Sequence, residues 1–293
     1  MRYETYCVAI KGQRVHMKTI IITGANSGIG YVTAKELAQD GHHIVFAGRS
    51  RERNEEAMEA LKSELPDAQL SFEPLDLGSL QSVKEFGDAW AAKGQEIDIL
   101  INNAGLAGQQ GITTDGFELH FGVNHLGHFY LTHLLLPHLK KDQGARIVNV
   151  ASRAHTRVKG ISFDHLQERT RTTSGFPEYC ESKLANVCFN RSLAPIVAER
   201  GIHTYALHPG VVASNIWSRL PGPIESFVKL FMLSNEDGAK TSIYCARSPE
   251  CAKDNGLYYD KCRTKSVSKV VTPDLEKRLW DLSMEWCSLT SFG

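Results

Sequence analysis

Thr19-Ile20-Ile21-Ile22-Thr23-Gly24-Ala25-Asn26-Ser27-Gly28-Ile29-Gly30 is an apolar run that breaks into a glycine-rich turn, and helical spacing continues from it to about Ala38. An unbroken isoleucine strand suits a sheet covered on both faces, which is how parallel sheets are buried. Glycines let a backbone approach a pyrophosphate closely, and the start of a helix adds free N–H groups and a positive dipole end. The spacing is GxxxGxG, not the GxGxxG of the common dinucleotide fingerprint. The strand before it and the helix after it separate it from an ordinary glycine turn. Gly24, Asn26, Ser27, Gly28, Ile29 and Gly30 are therefore candidate cofactor-binding residues.

Outward from this unit the chain alternates. Strands are expected at His43–Ala47, Gln69–Pro74, Ile97–Ile101, Arg146–Val150, Ile202–Leu207 and Leu257–Tyr259. Helices are expected at Arg51 to about Ser63, Ser79–Ala92, Phe117–Leu139, Phe176–Glu199, near 224–233, 235–247 and Pro273 to about Cys287. Right-handed crossovers turn that rhythm into an α/β fold: a doubly wound, mostly parallel sheet with helices on both faces. No repeat or linker divides residues 17–293, so they read as one domain. Residues 1–16 form an N-terminal extension, either a short hairpin around Lys11-Gly12 or a loose arm.

The second strand ends Ala47-Gly48-Arg49-Ser50-Arg51, with no carboxylate before Glu52. In dinucleotide folds an acidic residue at this point binds the ribose 2′-hydroxyl of NAD, whereas an arginine accommodates the 2′-phosphate of NADP. Guanidinium forks suit phosphate. Arg49 therefore predicts NADP(H) over NAD(H).

Further along stands Tyr179-Cys180-Glu181-Ser182-Lys183. On a helix, positions four apart share a face. Tyr179 and Lys183 then present a phenol and an ammonium to one bound molecule. The cation is expected to favour the phenolate and pull the tyrosine pKa below its usual value of about 10.

Composition narrows the function classes. Lysine plus arginine equal aspartate plus glutamate, 33 against 33, so no charge excess points to nucleic acid or an anionic membrane. The 7 cysteines are odd in number and lack CxxC pairs, which suggests reduced thiols and a cytoplasmic location. No apolar run is long enough to span a bilayer, so no transmembrane segment is expected, and residues 1–16 lack the apolar core of a signal peptide.

In order, TGANSGIG at 23–30, Asp76-Leu77, Asn102-Asn103-Ala104-Gly105, Asn124, Ser152, YxxxK at 179–183 and Pro209-Gly210 resemble the short-chain dehydrogenase/reductase family. The likeness runs from about Met17 through almost the whole chain. Within the family, Asn124-His125-Leu126-Gly127-His128-Phe129, Ser182-Lys183-Leu184-Ala185-Asn186, His208-Pro209-Gly210-Val211-Val212 and Lys277-Arg278-Leu279-Trp280 look most like the retinol dehydrogenase group. The resemblance implies a Rossmann fold and hydride transfer between a nicotinamide cofactor and an apolar carbonyl or alcohol substrate. It implies that Asp76 meets the adenine ring and that Leu77, Asn103, Ala104 and Gly105 line the cofactor cleft, with Pro209, Gly210 and Val212 also against the cofactor. Ser152 holds the substrate oxygen, Tyr179 exchanges the proton, Lys183 binds the nicotinamide ribose and lowers the tyrosine pKa, and Asn124 supports a water-mediated relay. A homodimer through the helices at 117–139 and 176–199 follows from the same likeness. The chain departs from the family in having Ala151-Ser152 where two serines are common, and in a long interval from Ser152 to Tyr179.

Other signals are given plainer roles. His120, His125, His128, His133 and His138 lack HExxH spacing, so no metal is expected, and they read as packing and interface residues. Cys180 reads as packing. Phe227-Val228-Lys229-Leu230-Phe231-Met232-Leu233 reads either as an amphipathic stretch that touches a membrane or, in preference, as a lid over the substrate pocket. Against the enzyme stands a non-catalytic NADP(H)-binding regulator, which would have no use for Asn124, Ser152, Tyr179 and Lys183 together.

Overall fold

The computed structural model describes residues 16–210 and 234–293. The expected arm before residue 16, the lid at 227–233, the helix near 224–233 and Val212 lie outside them.

The described strands are β1 (Thr19–Thr23), β2 (His43–Gly48), β3 (Leu70–Pro74), β4 (Ile99–Asn102), β5 (Arg146–Val150), β6 (His203–His208), β7 (Tyr258–Asp260) and β8 (Arg263–Lys265). They form one 8-stranded sheet in the order β3-β2-β1-β4-β5-β6-β7-β8. All neighbours run parallel except β7 and β8, which are antiparallel. Chain order reverses between β1 and β4, where open α/β sheets form their ligand crevice.

The strands bury both faces, as their composition requires. Ile20 and Ile22 point to one side with Ile44, Phe46 and Val148. There they meet Leu37 of α1 (Gly28–Gln39) and Leu61 of α2 (Arg51–Glu64). Ile21 points to the other side with Val45, Leu100 and Ile147. That face is covered by α3 (Leu80–Lys93), by the helical region from Leu119 to His138 and by α6 (Phe176–Ala198).

The predicted helix over 117–139 is not uniform. It divides into a short turn α4 (Leu119–Phe121), a π-helical stretch (Gly122–Leu126), α5 (Gly127–Leu135) and a 3₁₀ turn (Leu136–His138). Asn124 lies inside the π stretch, a distortion frequent at functional sites. Further on are α7 (Asn235–Arg247) and α8 (Pro273–Trp286). Trp280 of α8 and Phe292 pack edge-on and stacked against Phe129 and Phe189, covering the outer face of α5 and α6.

Candidate active site

The carboxyl ends of β1, β4, β5 and β6 converge beside the switch point, and the predicted site residues follow those ends. Gly24 and Gly28 take positive φ, 67° and 56°, which turns the chain sharply from β1 into α1. A Cβ on Gly30 would stand 2.2 Å from the Gly24 carbonyl oxygen and 2.6 Å from Asn103 Nδ2. The turn is thus closed on itself, and Asn103 Nδ2 donates to the Thr23 carbonyl at 2.8 Å to hold it. Ser50, Ser79, Ser234 and Thr272 each accept a main-chain N–H at the start of their own helices. Ser27, at the start of α1, makes no such bond, and the first turn of α1 holds no acidic residue. Its N–H groups are therefore left for an anion, and a pyrophosphate fits the cradle.

Around it, Asn26 and Ile29 are half-buried and Ser27 exposed. Asp76 Oδ1 accepts the Gly78 N–H at 2.9 Å, and Leu77 is buried beneath Gly127. Ala104 packs on Gly24. Exposed Gly105 leaves room for a ligand: a Cβ there would come within 3.3 Å of both Lys183 Nζ and Asn124 Oδ1. Arg49 is exposed at the end of β2, while its neighbour Arg51 is engaged by Glu55 and by the Phe72 ring. Pro209 and Gly210 follow β6, half-buried.

The catalytic candidates meet at the same end. Lys183 is buried and donates from Nζ to the Val150 carbonyl at 2.9 Å, with Nζ 5.8 Å from the Tyr179 ring centre. Ser152 Oγ accepts the Ala154 N–H at 3.1 Å, and the serine side chain acts on the Tyr179 phenol, favouring its ionised form. Asn124 is fully committed: Oδ1 accepts the Leu106 N–H at 2.9 Å, and Nδ2 donates to the Leu106 carbonyl and to Ser182 Oγ, each at 3.0 Å. Ser182 Oγ in turn donates to the Tyr179 carbonyl at 2.8 Å. Asn124 is therefore latched to the turn of α6 that carries Tyr179.

The expected lowering of the Tyr179 pKa is not found. Burial pushes the phenol above its ordinary value, and the Ser152 side chain offsets only part of this. Lys183 is itself lowered to about 8 by burial, so the pair faces a shared loss of solvation and not a simple ion-pair gain.

Two histidines serve the site: His128, expected only to pack, and His155, which carries no sequence expectation. His155 Nδ1 donates to the Ser152 carbonyl at 2.6 Å while its Nε2 accepts the Ser268 N–H at 3.2 Å. That pairing fixes its tautomer and clamps Ser152. His128 similarly contacts Asn124. His128 lies in the motif that carries the family resemblance, whereas His155 has no sequence signal beyond its nearness to Ser152. His120, His125 and His128 are completely enclosed, so they are core and not interface residues. Glu118 accepts from His120 Nδ1 at 2.8 Å and from Thr170 Oγ1 at 2.5 Å, tying the long segment before Tyr179 to α4. Cys180 is buried with its thiol pushed up to about 11, the state of an unreactive packing residue. Among the described residues, no three His, Cys, Asp or Glu are grouped to hold a metal ion.

Comparison with known proteins agrees with this geometry. Residues 18–165 match the short chain dehydrogenase family model. Human retinol dehydrogenase 12 is 40% identical over 272 residues, covering 92% of this chain and 85% of that protein. Human retinol dehydrogenase 13 is 40% identical over 277 residues, covering 90% and 82%. A crystal structure of an uncharacterised protein from Mycobacterium paratuberculosis superposes with TM-score 0.73 at 32% identity, covering 94% of this chain and 95% of that one. A short chain dehydrogenase from Escherichia coli CFT073, complexed with NADPH, shares the fold with TM-score 0.64 at 19% identity, over 83% and 96%. The chain belongs to the short-chain dehydrogenases, a family of oxidoreductases that bind a nicotinamide cofactor. Its curated relatives include retinol dehydrogenases 11 to 14.

Proposed function

We propose that the protein is an NADP(H)-dependent oxidoreductase that interconverts a carbonyl and an alcohol on an apolar aldehyde, ketone or retinoid-like substrate. The observation that carries this reading is the convergence of four side chains beside the open glycine cradle. Ser152 acts on the Tyr179 phenol, Lys183 stands next to Gly105, and Asn124 is latched to the Tyr179 turn. When bound, the nicotinamide supplies or accepts the hydride. Residues 17–293 act as one dinucleotide-binding and catalytic unit.

In this reading Tyr179 Oη moves the proton at the substrate oxygen, and Ser152 Oγ orients that oxygen. Lys183 faces the cofactor ribose across Gly105. Asn124 supports a water-mediated relay behind Lys183. Asp76, Leu77, Pro209 and Gly210 complete the cofactor cleft. The retinoid-like substrate rests on the relatives' names, and the cytoplasmic location on the reduced, mostly buried cysteines among the described residues. No helix among those residues is long and apolar enough to cross a membrane. A homodimer through the helices at 117–139 and 176–199 belongs to the same reading; Trp280 and Phe292 pack on Phe129 and Phe189 of those helices.

NADP(H) preference rests on Arg49. The unmodified protein should bind NADPH more tightly than NADH, and Arg49→Asp should reverse the order. A charge-assisted hydrogen bond contributes about 1.5–3 kcal/mol, so NADPH affinity should fall on the order of tenfold to a hundredfold. Fluorescence titration with both cofactors reads this directly. Tighter NADH binding by the unmodified protein would refute the assignment.

A further inference from the structure

His128 is buried one turn beyond Asn124, and its ring nitrogens have different partners. Nδ1 lies 3.0 Å from the main-chain carbonyl oxygen of Asn124, and Nε2 lies 2.9 Å from Thr23 Oγ1. A carbonyl can only accept, so Nδ1 carries the hydrogen. Thr23 Oγ1 receives the main-chain N–H groups of Asn103 and Ala104, each at 2.9 Å. Those two bonds occupy its acceptor sites and leave its own hydrogen to donate. Nε2 at 2.9 Å is the nearer acceptor, and the Ile101 carbonyl is farther, at 3.4 Å. Burial holds the ring well below its usual pKa, at about 4, so the imidazole is neutral and Nε2 is free to accept.

The chain of bonds therefore runs Asn124 carbonyl, His128, Thr23 hydroxyl, then the N–H groups of Asn103 and Ala104. Its ends are the π-helical turn on one side and the carboxyl ends of β1 and β4 on the other. We propose that His128 is a positioning residue that holds the Asn124 turn in register with the glycine cradle, so that the proton-relay side and the cofactor side of the site move as one. This rests on the hydride-transfer reading of the site.

Two substitutions separate the ends. In His128→Asn an amide nitrogen can stand near the place of Nδ1 and keep the bond to Asn124, while Thr23 loses its acceptor. In His128→Gln an amide oxygen can stand near the place of Nε2 and keep Thr23, while the Asn124 carbonyl loses its donor. Misplacement on the order of 1 Å can cost about 10²-fold in rate. His128→Gln should accordingly lose up to about 10²-fold in kcat for retinol oxidation, with NADPH Kd near that of the unmodified protein. His128→Asn should keep more of kcat and raise the NADPH Kd roughly tenfold, the equivalent of about one hydrogen bond. Variants that match the unmodified protein in both readouts, or that fall equally in both, would overturn the proposal. If the unmodified protein has no turnover, the hydride-transfer reading fails on its own, and the Kd difference between the two variants still decides the Thr23 half. Should a variant not fold, long-range ¹⁵N–¹H spectra of the histidine-labelled unmodified protein serve instead. They should show His128 as the neutral Nδ1–H tautomer through neutral pH, and an Nε2–H tautomer would overturn the assignment.

Discussion

Tyr179→Phe should lose about 10²–10⁴-fold in turnover, the usual contribution of one positioned proton donor, while NADPH still binds. The change removes one oxygen and nothing else. The ring keeps its packing against Phe176 and His120, and the main-chain bonds from Tyr179 N to the Gly175 carbonyl and from Ser182 Oγ to the Tyr179 carbonyl do not involve the phenol. Only the phenol's interaction with Ser152 is lost. Fold and cofactor affinity should therefore change little. The raised phenol pKa sets the direction of the pH response. The phenol stays protonated at neutral pH, so carbonyl reduction has its donor there. Alcohol oxidation, which needs the phenolate as acceptor, should gain rate as pH rises toward the raised value. Stopped assays in both directions across pH check this. An oxidation rate that fell with rising pH would remove Tyr179 as the titrating group.

Gly30→Ala should be nearly as damaging, through binding and not through chemistry. Its Cβ would need to share space with the Gly24 carbonyl at 2.2 Å, and that atom is backbone that cannot rotate away. The loop must open, breaking the Asn103 bond that closes it. Overpacking of this kind costs about 1–3 kcal/mol in stability, and the reshaped cradle should no longer hold a pyrophosphate. NADPH titration and thermal melts of the variant report the two losses separately. Gly160→Ala is the matched control, since nothing lies within 4 Å of its Cβ, and it should behave as the unmodified protein does. A Gly30→Ala protein with normal NADPH affinity would remove the cradle from the account.

Where apolar patterning and glycine spacing carry the structure, sequence and fold agree closely. Strand Arg146–Val150 matches to the residue, and Ile20, Ile21 and Ile22 divide between the two faces as a doubly covered strand must. β8 escaped that reading because all of its residues are exposed and polar. Its hairpin turn is also built from Lys261 and Cys262 at positive φ, 53° and 57°, where an Asn-Gly pair would have been a signal. The helix at 117–139 looked continuous because side-chain periodicity does not register a local switch to i→i+5 bonding. The histidines looked alike for another reason. What distinguishes them is partners distant in the chain: Thr23 for His128, Ser283 for His125 and Ser268 for His155. The direction of the Tyr179 shift could not be read either. Lys183 as a neighbour was visible in the spacing, but the burial that raises the phenol is a property of the assembled core.

The central claim is that this site moves a hydride and does not merely bind the cofactor. It is tested by supplying NADPH deuterated at C4 of the nicotinamide ring with retinal or another apolar aldehyde and analysing the alcohol by mass spectrometry. With each C4 epimer tried in turn, one should deliver deuterium to the carbinol carbon and the other should not. Tyr179→Phe should suppress the product without abolishing NADPH binding. Saturable NADPH binding with no deuterated alcohol from any aldehyde or ketone offered would contradict the account, and would leave a cofactor-binding protein that does not transfer the hydride.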